Sequence, residues 1–308
     1  MYADDTILLA RSEEELRNKI NVFKYECGKL GLIMNEKKSE IMMFGKGVEK
    51  KENINGIRVV EEMKYLGVKL RNEKNMTKGY VEEKIKKAQK LDNWIKYLLR
   101  GKMLKTVVGK SLWKGMLMPS MLHCMGAIPL KKNEIRKIDN IQMKVYRAIL
   151  EMPKRTAKEY LLGEIGSSDQ WGRDRESKLM LAKHIMDNTV KLKETVMERR
   201  GCGVRWLEKC EDYMKEVQLN WEQMEEMSRA EVRRRCKRTS DMEWRKRMVE
   251  KKSMRFYGKW KRRMGIGREW RSTKKDRITK MWQSDTVLTR SKTGRTEEER
   301  LCLSLIHI

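Results

Sequence analysis

Two adjacent carboxylates lie near the start of the chain, directly before an apolar segment. Asp4 and Asp5 follow Tyr2 and Ala3, and the segment 6–10 that comes next is rich in β-prone residues. A turn in front of a strand can aim both carboxylates at one point. Mg²⁺ is usually held by one or two carboxylates, water and substrate phosphates, and two such ions about 3.5–4 Å apart assist phosphoryl transfer. An ordinary acidic turn is the alternative interpretation.

The next predicted element is a helix followed by a polar segment. Ser12 and Glu15 form a capping-box pattern, and apolar residues then recur at helical spacing up to Gly31. A short strand is predicted at 41–45. The segment between the helix and this strand contains the polar residues Asn35, Lys38 and Ser39.

Two alternating apolar segments predict a β-hairpin after this strand. The first arm covers 57–60, a polar turn follows, and the second arm covers 65–70. Gly67 in the second arm would allow another chain to approach the backbone closely. A hairpin that only packs its apolar side on the core is the structural alternative, and the two interpretations are compatible.

These segments together resemble reverse transcriptases, in the form found in LINE-type (non-LTR) retrotransposons. Tyr-Ala-Asp-Asp at 2–5 is similar to the catalytic turn of that family. The pattern Gly-Leu, two residues, Asn, two residues, Lys-Ser at 31–39 resembles the next motif. Tyr-Leu-Gly-Val at 65–68 resembles the hairpin that grips the primer end. The resemblance covers roughly 2–150 and is specific for 2–70.

The resemblance implies a role for each of these residues. Asp4 and Asp5 would hold Mg²⁺, or Mn²⁺, in a two-metal site beside the primer 3′ end and the incoming deoxynucleoside triphosphate. Lys38 would be the general acid that protonates the departing pyrophosphate; an exposed surface lysine is the alternative. RNA template and DNA primer are the implied partners. Substrate or primer contacts are implied for Tyr2, Ala3, Tyr65, Leu66 and Gly67.

In the family, a third aspartate from an earlier palm strand completes the metal site. No such strand precedes Asp4 in this sequence, so we expect a truncated reading frame that is inactive as an isolated chain. The functional alternative is a non-catalytic, basic nucleic-acid-binding remnant of a decayed mobile element, or an element that is never translated. The family also implies a location in the nucleus or in a cytoplasmic ribonucleoprotein.

The rest of the chain predicts helices, and the predicted fold class is α+β and predominantly α-helical. Amphipathic patterns indicate helices at 77–99, 104–116 and 135–149. The segment 117–122 resembles part of the family's thumb, and Gly163 and Gly166 indicate a break. The predicted domains are a partial palm at 1–75, a helical thumb at 76–162, a basic helical region at 163–300 and a non-native tail at 301–308.

Composition indicates a polyanionic partner. The 308 residues include 72 Lys and Arg against 44 Asp and Glu, a net charge of +28, which favours nucleic acid first and an anionic membrane surface second. No apolar segment approaches the roughly 20 residues of a membrane span, so no membrane span is predicted. Nucleic acid is the predicted partner, and no membrane partner is predicted. The six cysteines are scattered without a metal-binding or disulfide pattern. They are expected to be reduced intracellular thiols. The oligomeric state cannot be predicted.

The strongest charge concentration lies at 231–280, where 21 basic residues stand against 6 acidic ones, a net of +15. Trp244 is one of three tryptophans within it. Basic residues with spaced aromatic residues are typical of single-strand binding. A helical hairpin anchored by its tryptophans is an equally good interpretation. The candidate nucleic-acid-binding residues are Arg234, Arg235, Lys237, Arg238, Trp260, Lys261, Arg262, Arg263 and Trp270.

Overall fold

The computed structural model describes residues 6–44, 52–72, 77–100, 106–188 and 190–265. Short strands precede a long series of helices, so the α+β, predominantly helical class is confirmed. Two compact units are present, the first ending at Lys84 and the second beginning at Ile85. The predicted sites at 2–5 and at Trp270, and the predicted tail at 301–308, lie outside the described residues.

The first unit begins with the predicted helix, α1, Glu13–Lys29. The Oγ of Ser12 accepts a hydrogen bond from the backbone N–H of Glu15 at 3.1 Å, and Glu15 in turn accepts one from the backbone N–H of Arg11 at 2.7 Å. The first bond satisfies a donor that the helix itself leaves without a partner. The second reaches the residue before the cap, whereas a full capping box would use the N–H of Ser12. The capping pattern therefore starts the helix where the sequence predicts it.

The strand predicted at 6–10 is wrong, because these residues have no regular secondary structure. No described strand pairs with them, and an unpaired segment gains no ladder hydrogen bonds. Leu8 packs against the core of the unit, whereas the side chain of Leu9 is 78 % exposed. The backbone carbonyl of Leu9 accepts a hydrogen bond from Lys19 at 2.7 Å, so α1 holds this segment.

Two small sheets follow α1, and their pairing corrects the predicted hairpin. The first sheet has the order β1-β3-β2, with β1 (Glu40–Ile41) parallel and β2 (Asn53–Ile54) antiparallel to β3 (Ile57–Val59). The second sheet is an antiparallel hairpin of β4 (Glu62–Tyr65) and β5 (Val68–Arg71). The predicted arms 57–60 and 65–70 thus pair with other strands and not with each other.

Turn chemistry explains this pairing. Each hairpin closes with a two-residue turn whose central residues both have positive φ, +51° and +77° at Asn55-Gly56 and +46° and +78° at Leu66-Gly67. These values are typical of type I′ turns, whose twist matches that of the flanking strands. Asn-Gly is the strongest short-range hairpin signal, and it places the turn before β3. The core of the unit is formed by Ile20, Ile41, Ile54 and Ile57.

The second unit is helical. Its first helix, α2, begins in the first unit and continues into the second. The helices of this part of the chain are α2 (Lys78–Arg100), α3 (Thr106–Leu112), α4 (Met118–Leu122), α5 (Lys132–Ile149), α6 (Lys158–Ile165), α7 (Gln170–Asn188), α8 (Val190–Glu198), α9 (Arg205–Glu216), α10 (Trp221–Glu226), α11 (Arg229–Glu250) and α12 (Arg255–Trp260). No described helix is both long enough and apolar enough to cross a bilayer.

The helix predicted at 104–116 continues beyond its predicted end. A π-helical turn, Trp113–Leu117, connects α3 to α4 without a break. Pro119 lies in the first turn of α4, where its missing N–H and its ring would disturb a regular helix. A local change of helical register accommodates such a disturbance. The thumb-like segment 117–122 is therefore helical.

One of the predicted breaks is also corrected. Gly166 ends α6 in a left-handed conformation, with φ of +66°, and this break is present. Gly163 instead lies within α6, where a Cβ atom would be 2.4 Å from the hydroxyl of Tyr257 and 2.9 Å from Trp244. Close packing against Tyr257 and Trp244 therefore requires a glycine at this position, which is not in a turn.

Helix α7 is the centre of the second unit and packs against α5, α8, α9, α10 and α11. Helix α11 packs against α7, α6 and α12, and every fourth residue along one of its stripes is buried. This spacing places the side chains on one face of the helix. The stripe consists of Val232, Cys236, Ser240, Trp244 and Met248.

Helix α7 buries charged residues that surrounding helices must satisfy. Lys178 is fully buried and forms an ion pair with Asp174 one turn earlier. The hydroxyl of Tyr213 in α9 donates to the other oxygen of Asp174 at 2.6 Å. Burial lowers the pKa of Lys178, and the attraction of Asp174 offsets only part of that shift. The ion pair therefore keeps a charge in the core that would otherwise be costly.

Removing one member of this pair should destabilise the second unit severely. We expect Asp174→Asn to reduce the free energy of unfolding by about 3–5 kcal/mol, because it leaves the Lys178 ammonium buried without a compensating charge. The double variant Asp174→Asn/Lys178→Met should lose clearly less. Urea unfolding followed by tryptophan fluorescence measures this, since all nine tryptophans follow residue 84.

The matched control is Asp212→Asn, which removes the same charge from an exposed position of α9. It should change the stability by less than about 0.5 kcal/mol. A single Asp174→Asn variant as stable as this control would show that the buried pair is not important for folding.

Candidate functional site

The turn that carries Lys38 is held by the other polar residues of its motif. The Oδ1 of Asn35 accepts a hydrogen bond from the backbone N–H of Lys38 at 3.1 Å. The backbone carbonyl of Asn35 accepts one from the hydroxyl of Ser39 at 2.9 Å. Lys38 is exposed, and its ammonium has no ion pair with any described residue. Asn35 and Ser39 therefore shape a turn that presents a lysine to solvent.

The β4–β5 hairpin separates charged from apolar residues. Glu62 lies opposite Arg71, and Lys64 lies opposite Lys69. Because directly opposed residues point to the same side and side chains alternate along a strand, these four residues share one face. The other face carries Met63, Tyr65, Val68 and Leu70.

The charged face of the hairpin has an excess of positive charge. Glu62 forms ion pairs with Lys69 and with Arg71, the latter at 2.6 Å. Hydrogen bonds from Lys69 and Arg71 hold the pKa of Glu62 below its usual value, so this carboxylate is ionised at neutral pH. Lys64 is exposed and has no ion pair within the described residues. Sequence reasoning missed Lys64 and Lys69, although their alternation with apolar residues was the available signal.

The tip of this hairpin carries an unusual residue. Leu66 adopts a left-handed conformation, with φ of +46°, and it is 37 % exposed. The equivalent position of the first hairpin is Asn55, a residue that tolerates this conformation well. A strained, exposed apolar residue indicates a functional constraint. The sequence predicts Gly67 in a strand, where it would allow close approach of another chain. Gly67 lies instead in the turn between β4 and β5, where its positive φ completes the turn.

The candidate basic residues of α11 fall into two groups. Arg234, Lys237 and Arg238 are exposed, and none has a described ion pair or hydrogen bond. Arg234 and Arg238 are four residues apart, so they lie on the same side of the helix. Arg235 is half-buried and donates to the backbone carbonyl of Gln218 at 3.0 Å, so it also fixes the position of α11. We call Arg234, Lys237 and Arg238 the α11 basic face.

The candidate residues after α11 are placed differently. Trp244 is 1 % exposed, and its indole N–H donates to the backbone carbonyl of Glu159 at 2.7 Å. It is therefore a core residue and cannot stack on a base. Lys261 forms an ion pair with Glu164 at 3.0 Å, and Arg262 and Arg263 are exposed. The side chain of Trp260 and all of Trp270 lie outside what the structure describes.

No metal centre is formed by the described residues. None of them belongs to a group of three or more His, Cys, Asp and Glu side chains that could hold an ion. Asp4 and Asp5 lie outside the described residues, but their carboxylates are the hard oxygen donors that Mg²⁺ prefers. The donor chemistry thus fits the expected ion. Cys210 and Cys236 are buried, and burial raises the pKa of each thiol to about 12, so neither is a reactive thiolate.

Comparison with models of protein families gives a match at the start of the chain. Residues 1–70 match the model of the family described as reverse transcriptase (RNA-dependent DNA polymerase). No curated protein and no solved structure matches the chain. The matched segment contains the acidic pair, the Lys38 turn and most of the β4–β5 hairpin. It supports a reverse-transcriptase-like nucleotidyltransferase in general terms.

The strain at Leu66 leads to a prediction. Leu66→Asn should strengthen the β4–β5 hairpin, because it relieves a conformation that costs other residues about 1–2 kcal/mol. If Leu66 contacts a primer, the same change should weaken primer–template binding. Hydrogen–deuterium exchange of the β4–β5 amides and fluorescence anisotropy with a labelled primer–template measure the two effects.

Leu66→Gly provides the control, since it also relieves the strain and removes the side chain without adding an amide. Both variants should slow amide exchange and weaken binding. Slower exchange with unchanged binding would show that Leu66 has no contact with the primer.

Proposed function

We propose that this chain is part of an RNA-directed DNA polymerase of a LINE-type (non-LTR) retrotransposon. The observation that carries the proposal is the family match of residues 1–70, which includes the Tyr-Ala-Asp-Asp sequence at 2–5. Two features of the first unit support it. The turn at 35–39 presents the ammonium group of Lys38 to solvent, and the strained tip of the β4–β5 hairpin presents the apolar side chain of Leu66.

In this proposal the residues of the first unit bind and orient the reactants. Two bound Mg²⁺ ions would activate the primer 3′ oxygen and stabilise the leaving oxygen, with Asp4 and Asp5 as ligands. Lys38 approaches the triphosphate and donates its ammonium proton to the departing pyrophosphate. The β4–β5 hairpin holds the primer end through its tip residues, Tyr65, Leu66 and Gly67.

Nucleic acid is the proposed partner of both units. The charged face of the β4–β5 hairpin presents Lys64, and the α11 basic face presents Arg234 and Arg238, without ion pairs to described residues. Such surfaces bind phosphates by releasing condensed counterions. RNA template and DNA primer are the proposed ligands, and deoxynucleoside triphosphates are the substrates. The nucleus or a cytoplasmic ribonucleoprotein is the proposed location.

A second candidate function is nucleic-acid binding without catalysis. The α11 basic face favours it, because it lies in the second unit and outside the matched segment. Polymerase and binding assays separate the two functions.

The 308-residue chain alone should not polymerise DNA. Two-metal catalysis requires several preorganised carboxylates, and the resemblance assigns only Asp4 and Asp5 to this chain. Primer extension on poly(rA)/oligo(dT) with Mg²⁺ or Mn²⁺ tests this expectation. In a longer protein that supplies the third aspartate, Asp4→Asn should abolish extension while primer–template binding survives. Lys38→Ala should slow the chemical step by about 10²–10⁴-fold.

Two results would contradict this assignment. Template-dependent incorporation by the 308-residue chain, abolished by Asp4→Asn, would show that the catalytic site needs no further aspartate. Unchanged incorporation by the Asp4→Asn variant of the longer protein would show that the acidic pair is not the metal site.

The α11 basic face should bind single-stranded RNA or DNA with little sequence preference. The logarithm of the affinity should fall linearly with the logarithm of salt concentration, with a slope of about −0.7 per phosphate contact. Arg234→Ala/Arg238→Ala should flatten the slope of the full chain by up to about 1.4 if both residues contact phosphates. Fluorescence anisotropy with labelled oligonucleotides across a salt series measures the slope.

The matched control is Arg205→Ala/Lys215→Ala, which removes two exposed positive charges from α9. It lowers the net charge equally and should leave the slope close to that of the unmodified chain. Equal slopes for the two double variants would show that the α11 basic face has no special role.

A further inference from the structure

Lys110 of the second unit has two other lysines near it, one a helical turn later and one from a segment far along the chain. Lys110 lies in α3, Lys114 in the π-helical turn that follows, and Lys261 directly after α12. The ammonium groups of Lys114 and Lys261 are close enough to Lys110 to disfavour its charged form. We call these residues the three-lysine cluster. Like charges repel, so folding alone gives no reason to bring them together.

Lys110 is the central member of the cluster. A Cβ atom on Gly166 would lie 3.4 Å from its ammonium nitrogen and 2.8 Å from the Cα of Gly265, so the lysine rests beside the glycine at the end of α6. Lys110 is half-buried, and no described carboxylate forms an ion pair with it. Burial first, and then Lys114 and Lys261, lower its pKa to about 8.

One described carboxylate, that of Glu164, contacts the three-lysine cluster, and it also binds a tyrosine hydroxyl. Glu164 pairs with Lys261 at 3.0 Å and accepts a hydrogen bond from the hydroxyl of Tyr257 at 2.6 Å. Lys261 also donates to the backbone carbonyl of Gly265 at 2.7 Å, which leaves one of its three N–H donors. Lys110 and Lys114 keep positive charges without an acidic partner among the described residues.

Two carbonyl groups near the end of α6 have partners other than Lys110. The carbonyl of Leu162 already accepts hydrogen bonds from the N–H groups of Gly166 and Ser167, at 2.9 and 3.2 Å, and the carbonyl of Gly163 accepts one from Gly265 at 2.8 Å. These orphan carbonyls of the last turn are therefore satisfied without the lysine.

We propose that Lys110, Lys114 and Lys261 form a binding site for a phosphate group. A phosphate supplies the negative charge that the cluster lacks and several acceptor oxygens for the remaining N–H donors, and hydrogen bonds between charged partners are the strong ones. The source of the phosphate is the backbone of a nucleic acid. This last point rests on the proposed function, whereas the phosphate chemistry does not.

The proposal predicts that Lys110 lowers stability in the absence of ligand. Its pKa is lower in the folded than in the unfolded chain, so the unfolded chain binds more protons between about pH 8 and the ordinary value of 10.5. Stability therefore rises with pH across that range. Lys110→Met should raise the melting temperature at pH 7, and this gain should shrink as the pH approaches 10.5.

Binding is tested on the full chain by calorimetry with inorganic pyrophosphate at pH 7 and low salt. The unmodified chain and the control variant Lys215→Met should bind it equally, because Lys215 is an exposed lysine of α9 outside the cluster. Lys110→Met should bind it about tenfold more weakly or worse, the loss expected for one charge-assisted hydrogen bond.

The outcomes separate the possible errors. Absence of pyrophosphate binding, or equal binding by Lys110→Met, would overturn the site. Loss of stability in Lys110→Met with unchanged binding would assign Lys110 a structural role and would also overturn it. An oligonucleotide affinity that is unaffected by Lys110→Met, beside a clear loss of pyrophosphate binding, would keep the site and reject nucleic acid as its ligand. The Arg234→Ala/Arg238→Ala series tests the proposed function independently.

Discussion

The second unit depends on the burial of charge along α7. Arg175 is buried and bonds to Glu216 at 2.6 Å, to Glu243 at 2.8 Å and to the hydroxyl of Ser240 at 3.0 Å. Removing a partner from such a group leaves an uncompensated buried charge, which costs several kcal/mol. The two glutamates belong to α9 and α11, so one arginine determines how both helices approach α7.

The orientation of α11 follows from this constraint. The buried side chains of α11 form a stripe at intervals of four residues, and the exposed side of the same helix carries Arg234, Lys237 and Arg238. The apolar members of this stripe, Val232, Cys236, Trp244 and Met248, already favour one face of α11 for the core. The bonds of Arg175 to Glu243 and Ser240 add to that preference, and the basic face is presented to solvent as a consequence of core packing.

In the first unit, turn geometry has the corresponding role. Two type I′ turns define the strand register, and register decides which side chains share a face. The turn at Leu66-Gly67 collects Lys64, Lys69 and Arg71 on one side of the hairpin and Tyr65 on the other. The sequence Tyr-Leu-Gly-Val at 65–68 is therefore more than a list of residue types, because its glycine closes a turn that separates charged from apolar side chains.

Local patterns determined much of this protein from the sequence alone. The cap at Ser12, the amphipathic helices α2 and α5 and the fold class depend on neighbours within a few residues, so the sequence was sufficient to predict them. The resemblance at 2–70 likewise rests on contiguous motifs.

Strand pairing is non-local: residues 6–10 form no strand because no described strand pairs with them. Tertiary contacts also decided that Trp244 is a core residue, and they brought together the lysines of the three-lysine cluster, which lie up to 151 positions apart between Lys110 and Lys261. Such positions are set by the packing of helices around buried charges, and no local pattern encodes that packing.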